Sequence, residues 1–117
     1  MVLGIGIDII EVERVRKLVE KNPRFLQRIF TPREIDYCQK KRNKHQHLAA
    51  RFSTKEAFFK AIGRRISWTD IELINLPSGK PQLKIKSKEK FPFKKIHVSI
   101  SHLAEYAVAM VILEGEK

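Results

Sequence analysis

Arg51-Phe52-Ser53-Thr54-Lys55-Glu56-Ala57-Phe58-Phe59-Lys60-Ala61-Ile62-Gly63 reads as a helix closed by a glycine, and the rest of the chain arranges itself around it. Wound on a helix, Phe52, Glu56 and Phe59 fall at i, i+4 and i+7, which sets a carboxylate inside an aromatic stripe. A carboxylate seldom faces apolar neighbours without a partner, so Glu56 marks a candidate site. Lys60 follows Glu56 by one turn, and Arg51 precedes Lys55 by one turn, so cations flank the lone acid. Such a group suits a metal ion and phosphates. Two structural alternatives stand beside that reading: an ordinary Glu56–Lys60 surface pair, and a capping box in which Ser53 and Glu56 start a helix.

A chain of 117 residues accommodates one domain and one core. Hydrophobic residues at 43% and charged residues at 32% describe a globular protein rather than a disordered one. No membrane span or secretory leader is read, and the expectation is a cytoplasmic protein. The single Cys38 has no partner for an internal disulfide, which fits a reducing compartment, and its helical setting reads as core packing. Lys and Arg number 24 against 13 acidic residues, a formal net charge of +11, so the partner is expected to be anionic.

Outward from the central helix, Val2 to Ile10 alternates as a strand, with Leu3, Ile5, Ile7 and Ile9 on one face and Gly4, Gly6 and Asp8 on the other. Two glycines beside a carboxylate predict open space in which a ligand approaches the backbone; the plainer alternative is an aspartate capping the next helix. Glu11 to Lys21 reads as a helix whose outer face carries Arg14, Lys17 and Lys21. Asn22-Pro23 breaks it, and Arg24-Phe25-Leu26-Gln27-Arg28 continues the basic surface with an exposed-looking phenylalanine. Thr31-Pro32-Arg33-Glu34 is a capping box that opens a helix through Cys38. A basic stretch from Lys40 to His47 follows, where His45 and His47 read as solvent-facing, and the central helix begins between Gln46 and Ser53. Thr69 to Leu76 and Gln82 to Lys86 form a hairpin around Ser78-Gly79-Lys80-Pro81. Ser87 to Lys95 is a charged connection whose Phe91 and Phe93 pack back onto the core. Ile96 to Ser101 is an alternating strand, in which His97 has a local partner. Ala107 to Leu113 is a continuous apolar strand, predicted to be covered by a helix on one face and by another subunit on the other. One strand, three helices and four strands make an α+β domain, with a mainly antiparallel sheet packed on helices.

Phosphate loops of the P-loop type, dinucleotide fingerprints, nucleophile elbows and Cys/His metal spacings are all missing. Two carboxylates in unusual settings, Asp8 and Glu56, remain, and a hard cation held by one or two carboxylates with substrate phosphates is the usual Mg²⁺ arrangement. Gly6-Ile7-Asp8, followed by Phe52-Ser53-Thr54-Lys55-Glu56-Ala57-Phe58-Phe59-Lys60, resembles the two-part signature of the 4′-phosphopantetheinyl transferases. Phe30-Thr31-Pro32-Arg33-Glu34, Ser78-Gly79-Lys80-Pro81 and Val98-Ser99-Ile100-Ser101-His102 extend the likeness nearly end to end, toward the small members of that family.

The resemblance implies transfer of 4′-phosphopantetheine from coenzyme A to a serine of apo acyl carrier protein, with release of adenosine 3′,5′-bisphosphate, in the service of fatty acid biosynthesis. It implies Asp8 and Glu56 as Mg²⁺ ligands and Lys60 as a phosphate-binding group, with either Glu56 or a metal-polarised water as the base. Arg51, Lys41, Arg42, Lys44, Ser78, Gly79, Lys80, Pro81 and His102 would surround the nucleotide. Arg14, Lys17, Lys21, Arg24, Phe25 and Arg28 would meet the acidic carrier, with Phe25 as apolar anchor. The likeness further implies a homotrimer with coenzyme between subunits. Two rivals are a basic nucleic-acid-binding module, whose affinity would fall steeply with salt, and a noncatalytic relative that only binds coenzyme A or carrier.

Overall fold

Gly63 ends the central helix with a left-handed backbone (φ 79°), and its amide donates to the Phe59 carbonyl at 2.9 Å. Glycine takes that shape without a Cβ penalty, which is why the helix stops there. The computed structural model describes residues 1–116. Its elements are β1 (Val2–Glu11), α1 (Val12–Lys21), α2 (Phe25–Ile29), α3 (Pro32–Gln39), α4 (Lys44–Ile62), a 3₁₀ turn (Trp68–Asp70), β2 (Ile71–Asn75), β3 (Pro81–Ile85), β4 (Lys95–His102) and β5 (Tyr106–Glu114).

The α+β architecture agrees with expectation, and three boundaries are corrected. Four α-helices are present among the described residues instead of three, because Arg24 to Arg28 lies largely in the short α2. The central helix α4 starts at Lys44, ahead of the predicted window, and absorbs most of the basic stretch. The first strand runs through Glu11, so α1 begins at Val12. Thr31 and Glu34 form the predicted capping box on α3. The alternative Ser53–Glu56 box is absent: Ser53 sits mid-helix and its hydroxyl donates to the Ala50 carbonyl.

The main sheet is antiparallel in the order β1-β5-β4, and β2 pairs with β3 in a separate hairpin. Gly6, Asp8 and Ile10 share a face with Val111, Ala109 and Ala107 opposite them, and that face packs on α4. Small residues let α4 come close. A Cβ on Gly4 or Gly6 would overlap the Ala61 or Ala57 carbonyl oxygen, so the open space predicted at the glycines is filled by the helix backbone. The opposite flank of α4 packs on α1, α2 and α3 through Val15, Phe25, Phe30, Cys38 and Leu48. Packing on two flanks buries α4 around much of its circumference, polar Arg51, Ser53, Thr54 and Lys55 included.

The other face of the sheet is bare. Leu3, Ile5, Ile7 and Ile9 are between 42% and 63% exposed, and Tyr106 and Met110 of β5 continue the patch. Burial of β5 on both faces is therefore not met within one chain: Ala107, Ala109, Val111 and Leu113 are covered, while Met110 is open.

Candidate active site

The Gly6–Ala57 contact brings the end of β1 against the middle of α4, so Asp8 and Glu56 face a common place. Lys60 Nζ donates to Asp8 Oδ1 at 3.3 Å and to the Ile7 carbonyl at 2.9 Å. Burial pushes the Asp8 carboxyl up from its ordinary range; the Lys60 hydrogen bond and charge pull it down, the Glu56 charge adds to the rise, and Arg14 lowers it slightly. Glu56 does not pair with Lys60 along the helix. Its two oxygens accept from Arg65, at 2.9 Å from Nη1 and 3.3 Å from Nη2. Phe52 stacks on Trp68 at 5.2 Å and Phe59 meets it edge-on at 4.9 Å, so the aromatic stripe around Glu56 is present as read. Two carboxylates near one another, each matched by a cation, are hard-oxygen donors suited to Mg²⁺. No cluster of three or more such ligands occurs among the described residues, so a metal there would draw its other ligands from substrate and water.

Arg51 and Lys55, expected to flank Glu56, point elsewhere. Five residues along a helix is a rotation of about 140°, and Arg51 turns toward α3 and β2. There it is 2% exposed, lies 4.3 Å from the Tyr37 ring, and donates from Nη2 to Asn75 Oδ1 at 2.9 Å. Its Nε is buried without a hydrogen-bond acceptor among the described residues, an unsatisfied donor in a cationic wall. Two adjoining clefts meet at this side chain, of about 270 Å³ and 160 Å³. Lys41 lines the first, and Gly79, Pro81 and His102 line the second. His102 Nδ1 lies 3.0 Å from Gln46 Oε1, which ties the ring to the first turns of α4. Of the other expected nucleotide contacts, Arg42, Lys44, Ser78 and Lys80 are exposed and line neither cleft. His47, read as solvent-facing, is half-buried between Tyr37 and His102. Asp8, Glu56 and Lys60 line neither cleft, so one chain holds the acidic pair and the Arg51 clefts as separate sites.

Arg14, Lys17 and Lys21 border a shallow groove of about 390 Å³ along α1, and Arg24 and Arg28 are exposed nearby in sequence. Phe25 departs from expectation. It is 7% exposed and stacks on Phe52 at 6.0 Å, beneath the basic row rather than on it.

Lys55 is fully buried. Its ammonium donates to Glu34 Oε1 at 2.7 Å, the Ile29 carbonyl at 2.8 Å and the Trp68 carbonyl at 2.9 Å. Burial lowers its pKa, against the pull of Glu34. Three elements are thereby tied to the helix turn that carries Glu56, fixing which way that carboxylate faces. Sequence reading found neither this lysine's partner nor Arg65, Tyr37 and Asn75. All meet their partners across loops, where no periodicity operates.

A model of the 4′-phosphopantetheinyl transferase superfamily matches residues 4–111. The chain is 45% identical to the holo-[acyl-carrier-protein] synthase of Clostridium tetani, over 99% of this chain and 98% of that protein. It superposes on the crystal structure of the Bacillus anthracis holo-(acyl-carrier-protein) synthase in complex with CoA (3′,5′-ADP) with a TM-score of 0.85, at 39% identity, covering 99% of each chain. On the Helicobacter pylori holo-[acyl-carrier-protein] synthase in complex with coenzyme A the TM-score is 0.84, at 36% identity, covering 94% of this chain and 99% of that one.

Proposed function

This chain belongs to the 4′-phosphopantetheinyl transferase superfamily, and we propose that its acidic pair and its Arg51 clefts divide the work of moving 4′-phosphopantetheine from coenzyme A to a serine of apo acyl carrier protein. The observation that carries this reading is the convergence of Asp8, Lys60 and Glu56 at the β1–α4 crossing. The serine oxygen attacks the phosphorus bearing the pantetheine arm, its proton goes to a base, and adenosine 3′,5′-bisphosphate leaves with the electrons of the broken P–O bond. Asp8 and Glu56 would hold Mg²⁺, which supplies charge neutralisation at the diphosphate. Lys60 adds a fixed positive charge beside Asp8, where charge builds on the departing oxygens. Glu56 is the first candidate to accept the serine proton, ahead of a water.

Arg51, with its unsatisfied Nε, supports binding of an anion such as the nucleotide 3′-phosphate, with Lys41, Gly79, Pro81 and His102 around it. Arg14, Lys17, Lys21, Arg24 and Arg28 form the surface assigned to the acidic carrier, with Phe25 supporting it from below. The bare face of β1 and β5 favours a homotrimer in which the acidic pair of one copy meets the Arg51 clefts of the next. We place the protein in the cytoplasm, as one catalytic domain serving fatty acid synthesis; no described helix is long and apolar enough to cross a membrane. The test is incubation with apo carrier protein, coenzyme A and Mg²⁺, followed by intact-mass analysis. One added phosphopantetheine group that disappears with chelator supports the reading, and its absence with Mg²⁺ present refutes it.

A further inference from the structure

The chain after Gly63 folds back along α4, with the Arg64 amide donating to the Phe59 carbonyl at 3.2 Å. The two arginines that follow part company. Arg64 pairs with Glu89 and lies 5.6 Å from the Phe91 ring, away from the acidic pair. Arg65 reaches back to Glu56, nine residues upstream, and engages both carboxylate oxygens. Its guanidinium also lies 5.5 Å from the rings of Phe59 and Trp68. A planar cation forked onto a carboxylate and resting against two aromatic rings is held in place, although 63% of the Arg65 side chain is exposed against 18% for Glu56.

We propose that Arg65 is a positioning residue that competes with the divalent cation for Glu56, so that ion binding requires the guanidinium to release at least one carboxylate oxygen. The proposal rests on the reading of Asp8 and Glu56 as the ion's ligands. Both Glu56 oxygens are already hydrogen-bonded to Arg65, so a cation approaching Glu56 meets a neutralised ligand. Asp8 is matched in the same way by Lys60. Lys60 contacts one Asp8 oxygen, whereas Arg65 contacts both Glu56 oxygens, so the stronger restraint is on the Glu56 side. Arg65 therefore raises the ion concentration needed to load the site and leaves a free guanidinium beside it once displaced.

The experiment is Mn²⁺ titration of the whole protein into the millimolar range without substrates, following free Mn²⁺ by electron paramagnetic resonance. Arg65→Ala is expected to bind Mn²⁺ about three- to tenfold more tightly than wild type, with Arg65→Lys in between. Arg64→Ala removes the same formal charge next door and is expected to leave the affinity unchanged. Unchanged, weaker or undetectable binding in Arg65→Ala overturns the proposal, as does equal tightening in Arg64→Ala, which would make the effect one of net charge. Glu56→Gln separates the two layers of the argument. If Mn²⁺ binds it as it binds wild type, the ligand assignment itself is wrong and the proposal falls with it. If Glu56→Gln abolishes binding while Arg65→Ala changes nothing, the assignment stands and only the role of Arg65 is lost.

Discussion

A Cβ added to Gly6 would overlap the carbonyl oxygen of Ala57 and lie 2.9 Å from the Ala61 amide nitrogen. Strand and helix therefore touch backbone to backbone, two residues from Asp8 and one from Glu56. Gly6→Ala must push α4 away from β1. The expected outcome is a loss of roughly 1–3 kcal/mol in urea denaturation, with a fall in transfer activity larger than the fraction unfolded accounts for. Wild-type stability and activity in Gly6→Ala would remove the contact from the account.

Lys55→Met tests the buried ion pair. It leaves Glu34 charged, fully buried and without its cation, although the Thr31 and Leu73 amides still donate to it. A destabilisation of about 3–5 kcal/mol is expected by chemical denaturation. Lys55→Met combined with Glu34→Gln is expected to recover part of that loss, because no buried charge is then unpaired. A double variant as unstable as the sum of the singles contradicts the pairing.

Ile7 lies on the bare face of the sheet, with Met110 opposite it. In one copy an aspartate there would be solvated and harmless. In an assembly through this face it would be buried against apolar neighbours. Ile7→Asp is expected to sediment as a folded monomer with little transfer activity, and wild type is expected to sediment as a trimer. Wild-type sedimenting as a monomer would refute assembly through β1 and β5.

Asp8→Asn addresses stability against function. Burial raises the Asp8 pKa, with the Glu56 charge adding to it, so the ionised carboxylate weakens the fold at neutral pH. The folded protein then binds more protons than the unfolded one just above the ordinary value of 3.8, and this group's contribution to stability declines as pH rises through that window. With chelator present, Asp8→Asn is expected to melt at or above the wild-type temperature near pH 7, the advantage narrowing as pH falls toward 4, while transfer is lost. Thermal melts across that range decide it; an Asn variant less stable at pH 7 than at pH 4, relative to wild type, reverses the sign.

Much of the fold was legible because it is local. The alternation of β1, the Thr31–Glu34 capping box and the Gly63 stop each depend on residues within a few positions of one another. Asp8, Glu56 and Lys60 were legible through a two-part motif, and the structure brings them to one crossing. What sequence reading missed depends on tertiary contacts. The five-residue α2 is too short to show a period, and Phe25 looks exposed among arginines until Phe52 covers it. The open space assigned to Gly4 and Gly6 is the space a helix occupies, since a missing side chain signals close approach without saying of what. Lys55 finds Glu34 across 21 residues, and Arg65 reaches Glu56 only because the chain reverses at Gly63.

Glu56 bears most of the proposed chemistry. Its direct measurement is the single-turnover rate of phosphopantetheine transfer to apo carrier protein, by intact mass, for wild type and Glu56→Gln at saturating coenzyme A and Mg²⁺. A fall of at least about a hundredfold, with the variant folded and its melting temperature near that of wild type, is the predicted result. A Glu56→Gln enzyme that turns over at the wild-type rate would contradict the assignment of the acidic pair as the catalytic centre.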